Sequence, residues 1–179
     1  MMKFSRYFTL LLLTVLLLVP TSFSWASKRD IRFGWFSSAP IPQTASDVKV
    51  SGSLKPDKVK GAQTSRGTIT IEIPSNLHVQ SSKPLDKFLV PTKLDIDAPQ
   101  GLKVGPITYP RAQMRKLAFS KKPVAVYEGL AVIRFNIIVP AKFSQNSAEL
   151  KGRLRFQACN NDACFPPQTR EVKLSLAIE

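Results

Sequence analysis

Cysteine and histidine are scarce in this chain of 179 residues, with two of the first and one of the second. One imidazole and two thiols fall short of the usual four-ligand zinc set. A Cu(I) ion on the two thiolates is the one metal site this composition leaves open. No Cys-x-x-Cys is present, so a thioredoxin-type motif is absent. No motif points to an organic cofactor. No apolar run reaches the ~20 residues that a membrane-spanning helix needs. Proline joints at Val90-Pro91, Gly105-Pro106 and Tyr109-Pro110 exclude long helices around them. The one helix-tolerant stretch, Arg111 to Phe119, reads equally well as strand. Internal repeats and low-complexity tracts are lacking too.

The first residues carry Lys3 and Arg6, then an apolar run from Tyr7 to Val19, the breaker Pro20 and the small-x-small site Ser24-Trp25-Ala26. A positive start, a short apolar core and such a site describe a secretory signal peptide over residues 1–26. Its core is too short for an anchor, so no stable membrane insertion is expected once it is removed. No cysteine follows the run to carry a lipid. The expected compartment is the periplasm or the exterior. Residues 27–46 are rich in Ser and Pro, as in Ala39-Pro40-Ile41-Pro42, and read as a loose lead-in. Residues 47–179 remain as one domain, long enough to bury a core.

Acidic residues number 12 against 26 Lys plus Arg, and removing Lys3 and Arg6 with the signal still leaves 24 against 12. Nucleic acid is not the expected partner, because the chain is exported and its basic residues do not cluster. They alternate with apolar ones, as in Arg153-Leu154-Arg155-Phe156 and Val172-Lys173-Leu174, the signature of strands with one solvated face. The same period of two recurs in Val48 and Val50, in Ile69, Ile71 and Ile73, and in Leu94 and Ile96. It continues in Ile133, Phe135, Ile137 and Val139, in Leu150, Leu154, Phe156 and Ala158, and in Val172, Leu174, Leu176 and Ile178. Repeated between Gly, Pro, Asn and Ser punctuation, this predicts an all-β fold, an antiparallel sandwich.

The two cysteines stand in Cys159-Asn160-Asn161-Asp162-Ala163-Cys164, between the two clearest C-terminal strands. In an oxidising compartment they are expected to pair. Asn, Asn and Asp tolerate the left-handed backbone of a tight turn, and cysteines facing each other across such a hairpin reach bonding distance best at a non-hydrogen-bonded pair. Extending the inward set Leu154, Phe156, Ala158 places Cys159 on the outer face. In the loop-entropy view, closing so short a loop contributes only about 2 kcal/mol. Spacing alone leaves two readings open: a passive structural disulfide and a reactive one.

The segment from Phe156 to Pro167, with its aromatic-Gln-small-Cys, short loop and Cys-aromatic-Pro-Pro, resembles the redox hairpin of the N-terminal periplasmic domain of the DsbD thiol:disulfide interchange family. Leu77-His78-Val79 with Lys83-Pro84, Pro91-Thr92-Lys93-Leu94, Ile107-Thr108-Tyr109-Pro110 and Val126-Tyr127-Glu128-Gly129 agree with it, over about Ser65 to Leu176. The resemblance implies an immunoglobulin-like β-sandwich. It implies a domain that relays electrons from a membrane-embedded donor to periplasmic thioredoxin-like or disulfide-bearing proteins. Cys159 and Cys164 would be the redox pair. Val126, Tyr127, Glu128 and Gly129 would form the cap loop over it, with Tyr127 either its lid or ordinary core packing. Phe165 would pack beside the sulfurs, Pro166 and Pro167 would stiffen the exit, and His78 would lie near the hairpin. Glu128 departs from a neutral cap, and a carboxylate there would disfavour a thiolate. These residues contain neither the membrane domain nor the thioredoxin-like domain of the full-length family, so a free-standing carrier is expected. The alternative is a non-catalytic immunoglobulin-like binding module with a structural disulfide.

The signal reading has a direct test. Intact-mass measurement of the exported protein is expected to show a chain starting at Ser27, soluble after osmotic release. A species that keeps Tyr7 to Val19 and sediments with membranes overturns it.

Overall fold

The computed structural model describes residues 44–179. The signal segment 1–26 and nearly all of the 27–46 lead-in lie outside the described residues. A 3-10 turn, Ala45–Asp47, opens the described part. The strands in chain order are β1 (Lys49–Lys55), β2 (Lys58–Val59), β3 (Thr64–Ile73), β4 (His78–Gln80), β5 (Lys93–Asp97) and β6 (Lys103–Val104). After them come β7 (Gln113–Arg115), β8 (Val124–Tyr127), β9 (Gly129–Ile138), β10 (Ser147–Phe156), β11 (Ala158–Cys159) and β12 (Gln168–Ile178). Strand, not helix, forms within Arg111 to Phe119. No helix among the described residues is long and apolar enough to cross a membrane.

Two four-stranded sheets make the sandwich: β1-β3-β9-β6 in one, β2-β12-β10-β5 in the other. Pairing is antiparallel except for the short β2–β12 contact. The alternation read from sequence is the alternation of burial. Ile69, Ile71, Ile133, Phe135 and Ile137 face inward from the first sheet, and Leu150, Leu154, Phe156, Leu174 and Leu176 from the second. Each such side chain contributes about 1.5–3 kcal/mol on burial. Between them Arg153, Arg155 and Lys173 stand exposed. The architecture is an immunoglobulin-like, all-β sandwich. Close approach fixes one glycine: a Cβ on Gly67 would lie 2.2 Å from Cζ of Phe135, its cross-strand partner, so the absent side chain makes room for that ring.

A third sheet, β11-β4-β8-β7, is built at one end from strands that have left the sandwich. Three joints make it. After β3, the turn from Pro74 to Leu77 carries the chain into β4, closed by the Leu77 amide on the Pro74 carbonyl at 2.9 Å. Glu128 and Gly129 carry β8 into β9, with Gly129 at φ +60°, a left-handed conformation that a side chain would strain. Gln157 carries β10 into β11. Strands β10 and β12 pair over ten residues, from Ser147↔Ala177 to Phe156↔Gln168. The chain from 157 to 167, with both cysteines, is an excursion from the end of that rigid ladder.

Candidate redox site

Cys159 and Cys164 form a disulfide with an S–S distance of 2.06 Å and Cα atoms 3.9 Å apart. They face each other as an isolated antiparallel bridge. The Asn160 amide donates to the Ala163 carbonyl at 2.9 Å and the Phe165 amide to the Ala158 carbonyl at 2.8 Å. Those bonds flank the cysteines on either side, which makes them the expected non-hydrogen-bonded pair. The turn itself departs from expectation. Its Asn and Asp residues keep negative φ, since Ala62 is the only non-glycine with positive φ among the described residues. The Asn160 side chain does the work instead: Oδ1 accepts from the amides of Asp162 at 2.9 Å and Ala163 at 2.8 Å. This is an Asx turn.

Cys159 is buried, with no exposed surface, which corrects the expectation that it lies on an outer face. The alternation itself holds, since Cys159 lies on the face opposite Ala158; what differs is that this face is covered too. At Gln157 the chain changes sheets, and both faces of β11 are covered, so Ala158 and Cys159 are buried alike. Cys164 remains partly exposed. Gln157 also clamps the surroundings: its carbonyl accepts from the Gln80 amide and its Oε1 from the Val90 amide, both at 2.9 Å, while Nε2 donates to the Phe165 carbonyl at 3.2 Å. Phe165 is half-buried against the main core. Pro166 and Pro167 occupy the exposed run before β12.

Register sorts the remaining residues onto the two faces of the third sheet. Ala158 pairs with Val79, and Val79 with Tyr127. This row faces the sandwich, and all three belong to its core. Cys159 pairs with His78, and one further step of the same register sets Glu128 opposite His78. That row, with Gln80 and Val126, lies on the other face. The stretch expected as a cap loop is therefore not a loop. Val126 and Tyr127 end strand β8, and Gly129 begins β9. Tyr127 is 3% exposed on the face away from the Cys159 side chain; its hydroxyl accepts from the Ser82 amide at 3.0 Å and donates to Ser82 Oγ at 3.1 Å. It packs as core, which was the other reading of this residue.

The loop that reaches the hairpin is 116–123, between β7 and β8. The Ala118 amide donates to the Asn161 carbonyl at 2.9 Å. Buried Leu117, with half-buried Phe119 and Leu89, packs on Val124 and Val126 in a second small core on the sulfur-bearing face. The sequence carried a signal for this loop in Leu117-Ala118-Phe119, an apolar cluster inside the stretch read as helix or strand.

Gln80 was not singled out from sequence. It is fully buried, and its Nε2 donates to Cys159 Sγ at 3.2 Å and lies 3.9 Å from Cys164 Sγ. Arg115 was also missed. Its Nε and Nη2 each lie 2.7 Å from a Glu128 carboxylate oxygen, a bidentate pair. His78 Nδ1 stands 2.8 Å from Glu128 Oε1, near enough for an ion pair but off the line of a ring N–H hydrogen bond. The Arg115 guanidinium holds the Glu128 carboxyl below its ordinary range, with partial burial working the other way. The expectation that Glu128 acts as a free negative charge beside the sulfurs is corrected: its charge is matched by Arg115. No group of three or more His, Cys, Asp or Glu among the described residues is placed to hold a metal ion.

Residues 51–176 match the family described as thiol:disulfide interchange protein DsbD, N-terminal. Among solved structures, the reduced N-terminal domain of DsbD from Neisseria meningitidis is 18% identical, with a TM-score of 0.45, over 75% of this chain and 95% of that one. The N-terminal periplasmic domain of ScsB from Proteus mirabilis is 14% identical, with a TM-score of 0.50, over 75% of this chain; the match spans 49%, about half, of that protein. No curated protein matches the sequence.

The Glu128 pairing has a pH consequence with a definite sign. A carboxyl held low in the folded state stabilises the fold above its unfolded value, and that stabilisation is lost as pH falls through the folded one. Denaturation midpoints of wild type and Glu128→Gln are expected to differ modestly at neutral pH and to converge below the ordinary value of 4.5. Parallel curves down through the acid range overturn the pairing.

Proposed function

Because the chain belongs to the family of DsbD N-terminal domains, we propose that it is a periplasmic thiol–disulfide carrier whose Cys159–Cys164 pair alternates between disulfide and dithiol. The observation that carries this reading is the asymmetry of the bridge. Cys159 is wholly buried, while Cys164 is partly exposed, in a hairpin that the 116–123 loop touches through the Ala118 amide and the Asn161 carbonyl. A disulfide serving stability alone would do better joining distant segments, since closing a loop this short contributes about 2 kcal/mol.

The chemistry follows from that asymmetry. A donor thiolate attacks Cys164 Sγ, the S–S bond breaks, and Cys159 departs as a thiolate. The donor's second cysteine then attacks the mixed disulfide, leaving with its own disulfide formed and Cys164 reduced. Both sulfurs of the pair take protons from solvent. The onward step reverses the roles: the Cys164 thiolate attacks an acceptor disulfide, and Cys159 resolves the resulting bond. The donor in this reading is a membrane-embedded protein, and the acceptors are thioredoxin-like or disulfide-bearing proteins of the same compartment. The 116–123 loop takes the covering role that the resemblance assigned to 126–129.

Two measurements test this. A Cys159→Ala variant is expected to attack the disulfide of an oxidised thioredoxin-like protein through Cys164 and to accumulate the mixed disulfide, since no Cys159 is left to resolve it; Cys164→Ala is expected to trap little. Equal trapping by both refutes the assignment of roles. A reduction potential well below roughly −300 mV would mark the disulfide as structural and return the chain to the binding-module reading.

The cover has its own test. Leu117 is 4% exposed and anchors the loop in the second small core. Leu117→Ala is expected to release the loop and speed reduction by dithiothreitol several-fold, with a stability loss of about 2–5 kcal/mol, the usual range for truncating a buried leucine. A folded variant with wild-type reduction kinetics shows that this loop gates nothing.

A further inference from the structure

The Gln80 side chain sits where an apolar residue would be cheaper to bury. It lies on β4 two residues beyond His78, hence on the same face, and diagonal to Cys159 across the β4–β11 pair, within reach for a long side chain. Its backbone is held at both ends: the amide donates to the Gln157 carbonyl, and the carbonyl accepts from the Thr92 hydroxyl. The carboxamide is thereby aimed at the bridge. A disulfide sulfur has lone pairs and no proton, so the amide presents its N–H to Cys159 Sγ. Its own carbonyl oxygen, Oε1, is buried with no hydrogen-bond partner. A buried acceptor left unpaired is destabilising, and such groups in folded proteins call for an explanation, among them a redox or catalytic role.

We propose that Gln80 is a catalytic residue of this site, its amide N–H stabilising the thiolate that Cys159 becomes as the disulfide opens and its unpaired Oε1 accepting the S–H of Cys159 once the pair is reduced. The inference rests on the carrier reading for its biological setting, though the chemistry concerns the disulfide itself. Attack on Cys164 sends an electron pair onto Cys159 Sγ in a buried place, where a thiolate without a partner is costly. The Gln80 N–H meets that charge without moving, since it already touches the same atom in the oxidised state. The amide carries no proton that it can give up, so the proton arrives from solvent. With the proton on sulfur, the demand reverses from donor to acceptor, and the carboxamide supplies the oxygen that was idle. One side chain thus matches both redox states, which neither an apolar residue nor a one-way donor does.

Three proteins decide it: wild type, Gln80→Leu and Gln80→Glu, each as the exported chain. Loss of a hydrogen bond to a charged sulfur is expected to slow reduction of oxidised Gln80→Leu by dithiothreitol about tenfold or more, tenfold being 1.4 kcal/mol. In a Cys164→Ser background, the ultraviolet thiolate signal of Cys159 is expected to titrate about one unit or more higher in Gln80→Leu, a readout that a merely structural role would not move. Gln80→Glu keeps size and shape and stands in if the leucine variant fails to fold. Ionised, it repels the thiolate; protonated, it donates again. The ratio of its reduction rate to that of wild type should therefore rise as pH falls. His78, Glu128, Arg115 and Asp162, with Lys116, Lys121 and Lys122 of the 116–123 loop and Lys83, Asp86 and Lys87 between β4 and β5, are common to both proteins, so their own titrations cancel in that ratio. A folded Gln80→Leu with wild-type kinetics and an unmoved Cys159 titration overturns the proposal, as does a Gln80→Glu ratio that is flat with pH. If wild type is reduced by dithiothreitol yet by no thioredoxin-like dithiol, the carrier reading falls and the Gln80 assignment stands.

Discussion

The ten-pair ladder of β10 and β12 holds the cysteine hairpin by both of its ends, and the site's geometry depends on that anchorage. The excursion from 157 to 167 leaves the ladder where the sandwich ends, so its sulfurs belong to neither sandwich sheet. Two further joints, at 74–77 and at Glu128-Gly129, deliver β4 and β8 to the same place. The third sheet is thus tied by chain continuity to both sandwich sheets, through β3 and β9 to one and β10 to the other. Its core face shares the main hydrophobic interior through Val79, Tyr127 and Ala158. Reduction of the bridge breaks none of those contacts, which is the physical condition for cycling a disulfide without cycling the fold.

Charge is arranged with the same economy. The chain is strongly basic, yet the carboxylate on the sulfur-bearing face of the third sheet is matched. Arg115 grips Glu128 through two hydrogen bonds, and His78 completes the contact on the Cys159 side. A bare carboxylate at that position would oppose formation of a thiolate. Paired, it leaves the neutral donor of Gln80 as the group in contact with sulfur. Among the described residues, most of the other basic side chains lie on strands with a solvated face, where they favour solubility and approach to acidic surfaces and say little about fold.

How much was legible from sequence follows the reach of each signal. Alternation with period two is local, and it located β3, β9, β10 and β12 with the correct inward faces. The cysteine pairing and its non-hydrogen-bonded geometry were legible because loop length and redox compartment are also local facts. The errors all come from the third sheet. Cys159 was expected to be exposed because alternation shows which face a residue takes and not whether a further layer covers it; past Gln157 the chain changes partners and both faces are covered. Tyr127 was considered as a lid because nothing in Val126-Tyr127-Glu128-Gly129 shows which face of which sheet it will occupy; that depends on pairing with Val79, 48 residues earlier in the chain. Gln80 and Arg115 carried no pattern at all. Their partners are 79 and 13 residues away, and a lone glutamine in Val79-Gln80-Ser81 or arginine in Met114-Arg115-Lys116 is indistinguishable from a solvated one.

Protection and access would conflict if one sulfur had to provide both, and the hairpin divides them. Cys159 lies inward, where desolvation alone would make its thiolate a poor leaving group, and a fixed amide dipole takes the place of the missing water. Cys164 is partly exposed, and in the proposed cycle its accessibility is set by the 116–123 loop and not by opening of the sandwich. The covering loop packs in a small satellite core separate from the main one, with Leu117, Val124 and Val126 as its buried members. Regions with few buried contacts open at a small fraction of the global unfolding free energy. In the proposed cycle the satellite core sets how readily the Cys164 sulfur is reached, the β10–β12 ladder sets where it sits, and the Gln80 carboxamide sets how well its partner sulfur leaves. The three elements occupy different parts of the fold, so a substitution in each probes one step of that cycle at a time.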